Sequence, residues 1–250
     1  MEVITRAPRA VPAERPAVSA AGSHAPFLAL IAYLAVVKLA LEHLLPASFG
    51  AHALAAVFTW PVIGVVTAAG LVGISLAART GFPGVWDPAV PLRERLALPA
   101  SLGFALGAVA VFVDSFTGSA AAASSALGIP SVHVPFPAGA LIYPGVAIAA
   151  GVLFHLLPLP LLLWGASRAG IDIWRRETAF VIAAVLVASV EPLAMDLRMR
   201  AAPGAMAALI AEDFVLGLSQ LWVFRRAGFG ASVVLRVVFY AVWHVAWPLL

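Results

Sequence analysis

Hydrophobic positions in this chain fall into long unbroken runs, separated by short connectors rich in Gly, Pro, Arg and Asp. Seven of these runs read as bilayer-crossing helices, because about 20 apolar residues rising 1.5 Å each cover the hydrocarbon core. They lie at about 26–45, 51–78, 96–113, 138–164, 178–196, 204–224 and 229–250. The strand alternation of membrane β-barrels is absent. The pattern predicts an all-α fold, a polytopic membrane helix bundle of about seven transmembrane spans over residues 26–250. Residues 1–25 are rich in Pro, Ala and Arg without periodicity and read as a disordered cytoplasmic tail. A cleaved signal peptide is not expected there, since Arg6, Arg9, Arg15 and three prolines precede any apolar core.

Polar and proline positions inside the runs sharpen this picture. The second run is longer than a span requires, which predicts a tilt or a bend at Pro61. In the fourth run His155 is followed by Pro158 and Pro160, whose missing N–H groups predict a kinked helix. The Ser/Ala-rich stretch 115–137 reads as an extramembrane loop or short surface helix. Glu191 precedes Pro192 in the fifth run, and the sixth carries Glu212 and Asp213 near its middle. The last run carries Arg236, Tyr240, Trp243, His244 and Trp247, whose spacing places all five on one helical face. Arginine and histidine are costly in hydrocarbon, so that face must point inward.

Composition excludes several classes of function. Hydrophobic residues make up 63% of the 250 positions and charged residues 11%, against about a quarter charged in soluble domains. The sequence pI near 9.9 does not indicate nucleic acid, because the cations sit in short connectors where they set topology. Connectors assigned to the inside carry Arg6, Arg9, Arg15, Arg79, Arg93, Arg95, Arg168, Arg175, Arg176, Arg225 and Arg226. Those assigned to the outside carry only Arg198 and Arg200, so the N-terminus is expected in the cytoplasm and the C-terminus outside. The absence of cysteine removes disulfides, thiol nucleophiles and thiolate metal sites. The many alanines and arginines beside one lysine suggest a GC-rich bacterial genome and an inner-membrane location.

The candidate chemistry is confined to a few polar residues in the spans. Arg236 is expected to pair in the interior with Glu212 or Asp213, which point about 100° apart on their helix. Alternatively a carboxylate there serves as a general base, its proton affinity raised by burial. Lys38 and Glu42, one turn apart, read as an ion pair near the end of the first span. His155 and His244 are candidate proton carriers, but no ligand spacing supports a metal, and no nucleotide, cofactor or serine-hydrolase motif is present.

The blocks ARTGFPGVWDPAV, VPFPAGALIYPGVAIAAGVLFHLLPLPLLLW, SVEPLAMD and FRRAGFGASVVLRVVFYAVWH, in that order, resemble the CAAX-protease and bacteriocin-processing family of intramembrane proteases. The resemblance covers most of residues 70–250. It implies a glutamate that activates water, with histidine or asparagine holding the water or the oxyanion. The family's paired glutamates and following arginine would fall at Ala150, Gly151 and His155. Its Phe-x-x-x-His motif is absent, and its last motif would fall on Arg236 and Tyr240. The expectation is therefore a catalytically degenerate member. It would act as a membrane scaffold or bind a lipidated peptide, a membrane-embedded peptide, a lipid or a partner membrane protein. Alternatives are an active endopeptidase using Glu191 or Glu212 with His155 and His244, and a small proton-coupled transporter that uses the buried charges as a relay.

Overall fold

The computed structural model describes residues 21–43, 53–171, 177–195 and 203–249. Among these, every regular element is helical: α1 (Ala21–His43), α2 (Trp60–Arg79), α3 (Leu98–Thr117), α4 (Ser119–Leu127), α5 (Ala138–Gly151), α6 (Pro158–Arg168), α7 (Glu177–Ala188), α8 (Val190–Met195), α9 (Pro203–Ala227) and α10 (Phe229–Tyr240). Six stretches are long and apolar enough to cross a membrane, and Phe180–Ala194 forms a shorter apolar helix in the place of the fifth span. The chain is thus an all-α polytopic helix bundle.

The outer surface identifies its solvent. On α3, Phe104, Val109, Phe112 and Phe116 are all more than half exposed. On α7, Val181, Ile182 and Leu186 are at least half exposed, while Ala183, Ala184, Val187 and Ala188 face the core. A bundle in water carries polar residues on such outward faces. Here both faces of the helix are apolar, as a lipid environment requires.

Several boundaries differ from those the pattern predicts. The first helix begins at Ala21, so the last five residues assigned to the tail are helical. The tail through residue 20, Arg175, Arg176, Arg198, Arg200, Asp196 and Leu250 lie outside the described residues. Pro61 does not bend the second span. A 3₁₀ segment, Ala53–Phe58, ends before it, and Pro61 occupies the first turn of α2, where no N–H is needed. The third span starts earlier, at Arg93, and runs past Asp114 to Thr117. The fourth continues to Arg168, and the fifth is broken at Ser189. Within 115–137 the short helix is α4, with Ser119, Ala120, Ala123 and Ser124 buried.

Three π-helical turns, Arg93–Ala97, Val152–Leu156 and Ala241–Ala246, share one cause. Each is closed by the residue just before a proline. Leu98 donates to Arg93, Leu157 to Val152 and Trp247 to Val242, each five residues back. Pro99, Pro158 and Pro248 follow, and each proline ring would strike the carbonyl four residues behind it in a regular helix. Widening the preceding turn relieves that clash. Two of these turns carry His155 and His244.

Span packing centres on α10, which lies against α3, α5 and α9. Its approach to α3 requires glycine: a Cβ at Gly103 would sit 2.2 Å from the Leu235 carbonyl oxygen, and one at Gly107 2.8 Å from Val242. Small residues four apart are how membrane helices come into such contact. Gly228, at φ +90°, admits the turn into α10, and the Gly230 N–H then donates to the Val85 carbonyl at 2.8 Å, tying the 80–92 connector to the last span.

Candidate functional site

The polar interior is built from α8, α9, α10 and the π turn Val152–Leu156. Arg236, on α10, is fully buried and donates through Nη2 to the carboxylate of Glu191, on α8, which is 7% exposed. This corrects the expected pairing: the direct partner of Arg236 is Glu191, not Glu212 or Asp213. Asp213 contributes only a longer-range attraction. The reason is rotational, because α7 and α8 turn their narrow Ala183, Ala184, Val187, Ala188 face inward and Glu191 continues that stripe. Tyr240 lies one turn beyond Arg236, with the guanidinium 5.6 Å from its ring centre.

His155, in the π turn between α5 and α6, is fully buried beside Gly217 of α9 and Ala188 of α7. Neither of its ring nitrogens has a hydrogen-bond partner among the described residues. The same holds for Nε and Nη1 of Arg236 and for Oε1 of Gln220. Gln220 on α9 donates from Nε2 to the Ser232 carbonyl at 3.3 Å, and both side chains are completely buried. Sequence reading passed over Gln220 and Ser232. An amide within an apolar span was their only signal, and Ser232 is i−4 to Arg236 on the inward face.

The two histidines that the endopeptidase alternative would use together lie in different places. His244 stacks on Tyr143 of α5, with ring centres 4.5 Å apart and planes within 10°. Tyr143 and His155 belong to the same span and are separated by roughly 18 Å along it at 1.5 Å per residue. His244 instead meets His133, Nδ1 to Nδ1 at 3.1 Å, at one end of the bundle. Asp114, near the end of α3, accepts there from the Ser119 hydroxyl (2.9 Å), the Ala120 N–H (2.7 Å) and Trp247 Nε1 (3.3 Å). His133 lies in the 128–137 connector, and burial lowers its pKa from the ordinary 6.5 against the opposing pull of Asp114. Neither residue stood out in sequence, since both lie at run boundaries.

Glu212 is placed elsewhere again. It lines an apolar cavity of about 210 Å³ between α3 and α9, with Leu106, Val109, Ala110, Ala211, Val215 and the floor residue Phe239 among its walls. Lys38 and Glu42 form the expected pair at 2.7 Å, part-exposed near the end of α1. A second ion pair, Arg226 to Glu94 at 3.0 and 3.2 Å, clamps the end of α9 to the start of the third span. No group of three or more potential metal-ligating side chains occurs among the described residues.

Chemically, the Glu191 carboxylate is engaged by the buried Arg236 guanidinium. The centre also offers the Nε and Nη1 groups of Arg236 and the His155 imidazole, none with a hydrogen-bond partner among the described residues, to a polar group. No family model, curated protein or solved structure matches the chain.

Proposed function

We propose that the chain is a membrane scaffold of the CAAX-protease and bacteriocin-processing type that lacks the peptidase reaction. It binds the apolar part of a lipidated or membrane-embedded peptide. The observation that carries this reading is the Glu191–Arg236 bond. The best-placed carboxylate is committed to a structural partner, and the two histidines that a water-activating site would recruit lie in separate clusters. The cavity between α3 and α9 supports the binding role, being apolar, walled in part by the exposed Val109 and Val215, and large enough for part of an acyl or prenyl chain. The loop charges support an N-terminus in the cytoplasm, and the composition rich in alanine and arginine supports a bacterial inner membrane.

The test uses the full chain in nanodiscs and a fluorescent farnesylated peptide. Binding is expected for the parent and is expected to fall at least tenfold in Ala211→Trp, which fills the cavity from its wall. Unchanged binding in that variant would refute the cavity assignment. The runner-up, an active endopeptidase, has one favouring observation: Glu191 and His155 both flank Arg236 in the buried centre. Peptide cleavage by the parent that disappears in a folded Glu191→Gln variant would establish that reading instead.

A further inference from the structure

Residues 118–137, joining the third and fourth spans, form a cap over one end of the bundle. α4 packs on α9, and Ser119 and Val134 are almost completely buried. Four contacts hold the cap in shape, three of them to the bundle and one within the cap itself. Asp114 holds its start through Ser119 and Ala120, and also holds Trp247 of the last span. The Ser124 hydroxyl accepts the Val132 N–H at 2.9 Å. The Tyr143 hydroxyl donates to the Val132 carbonyl and accepts the Val134 N–H, both at 2.8 Å. The fourth fastening is the contact between His133 and His244.

That contact differs from the others because it depends on a single proton. Two Nδ1 atoms 3.1 Å apart form a hydrogen bond only when one ring carries Nδ1–H and the other presents a lone pair. Adding a proton to Nε2 of the donor ring leaves this bond intact. A second proton, on the accepting Nδ1, sets two N–H groups and two positive charges against each other, with ring centres 5.1 Å apart. The side chain of His133 is partly exposed, so protons reach the pair.

We propose that the His133–His244 pair is an acid-released latch that keeps the cap closed over the end of the last span. The groups facing the pair decide its direction. Asp114, from α3, favours one imidazolium at His133. Tyr143 from α5 and Tyr240 from α10 face His244 with rings and stay neutral in the physiological range. Arg236 lies two turns deeper and is bonded to Glu191. One added proton is therefore accommodated, and among the described residues no second carboxylate is placed to neutralise the other. Because burial holds His133 below its unfolded pKa, the released loop binds protons more readily than the closed one. The closed form thus loses stability as pH falls below about 6.5. Release uncovers a row of side chains, His244, Tyr240 and Arg236, that leads to the buried centre.

The absence of cysteine makes the test direct. Spin labels at Ser125→Cys on the cap and Leu249→Cys on the last span, both exposed sites, report their separation by pulsed dipolar spectroscopy in nanodiscs. A single narrow distance at pH 8 is expected to give way to a longer, broader distribution at about pH 5. In His133→Gln, whose amide keeps a hydrogen bond and does not titrate, the distance is expected to stay constant across that range. An unchanged distribution in the parent would overturn the latch. So would an acid response that persists in both His133→Gln and His244→Gln, since another group would then be responsible.

Discussion

Removing Arg236 tests the centre most severely. The guanidinium is fully buried and bonded to a carboxylate that is only 7% exposed, so each ion is the other's solvent. For charges about 4 Å apart at an effective dielectric near 20, the attraction is roughly 4 kcal/mol, and it is set against desolvation costing several kcal/mol per ion. The pair as a whole is therefore close to neutral in stability. Its halves are not: deleting one partner leaves an uncompensated buried charge, which costs about 3–5 kcal/mol. Arg236→Met keeps most of the volume and isolates the electrostatic loss, and Glu191→Leu does the same from the other side. The double variant is expected to recover most of the loss, with a coupling of at least about 2 kcal/mol in the double-mutant cycle. The assay is reversible unfolding in mixed micelles, followed by the fluorescence of the seven tryptophans. Single losses below about 1 kcal/mol, or a double variant equal to the sum of the singles, would refute the pairing.

The interhelical glycines give a second expectation. Gly103→Val would force its side chain onto the Leu235 carbonyl and is expected to cost at least about 2 kcal/mol, whereas Gly64→Ala, with open space around it, should be neutral or slightly stabilising in the same unfolding assay. Lys38→Met is expected to change stability by no more than about 0.5 kcal/mol, because its pair with Glu42 is part-exposed and within one helix; a loss above 2 kcal/mol would show that the pair is held in a much drier setting.

The sequence by itself determined the solvent, the class and the punctuation of this protein. Runs of apolar residues leave no other way to satisfy the backbone than membrane-spanning helices. Proline marked the distorted turn at His155, since a missing N–H and a ring clash are local properties of the chain. Helical spacing turned Arg236, Trp243 and His244 inward, with Tyr240 and Trp247 half-buried beside them, and the one-turn separation of Lys38 and Glu42 sufficed to pair them. Only the tertiary structure decided which acid meets Arg236. Periodicity fixes a face within one helix but says nothing of how neighbouring helices are ordered or rotated, so it favoured Glu212 or Asp213 from mid-span position alone, whereas α7 and α8 point their alanine stripe inward and bring Glu191 to the arginine. The same gap hid the separation of His155 from His244, and the pairing of His244 with His133 across a connector. It also hid Gln220 and Ser232, whose significance lies in being buried together on different helices. Contacts between residues far apart in the chain arise from packing, and packing is a property of all the spans at once.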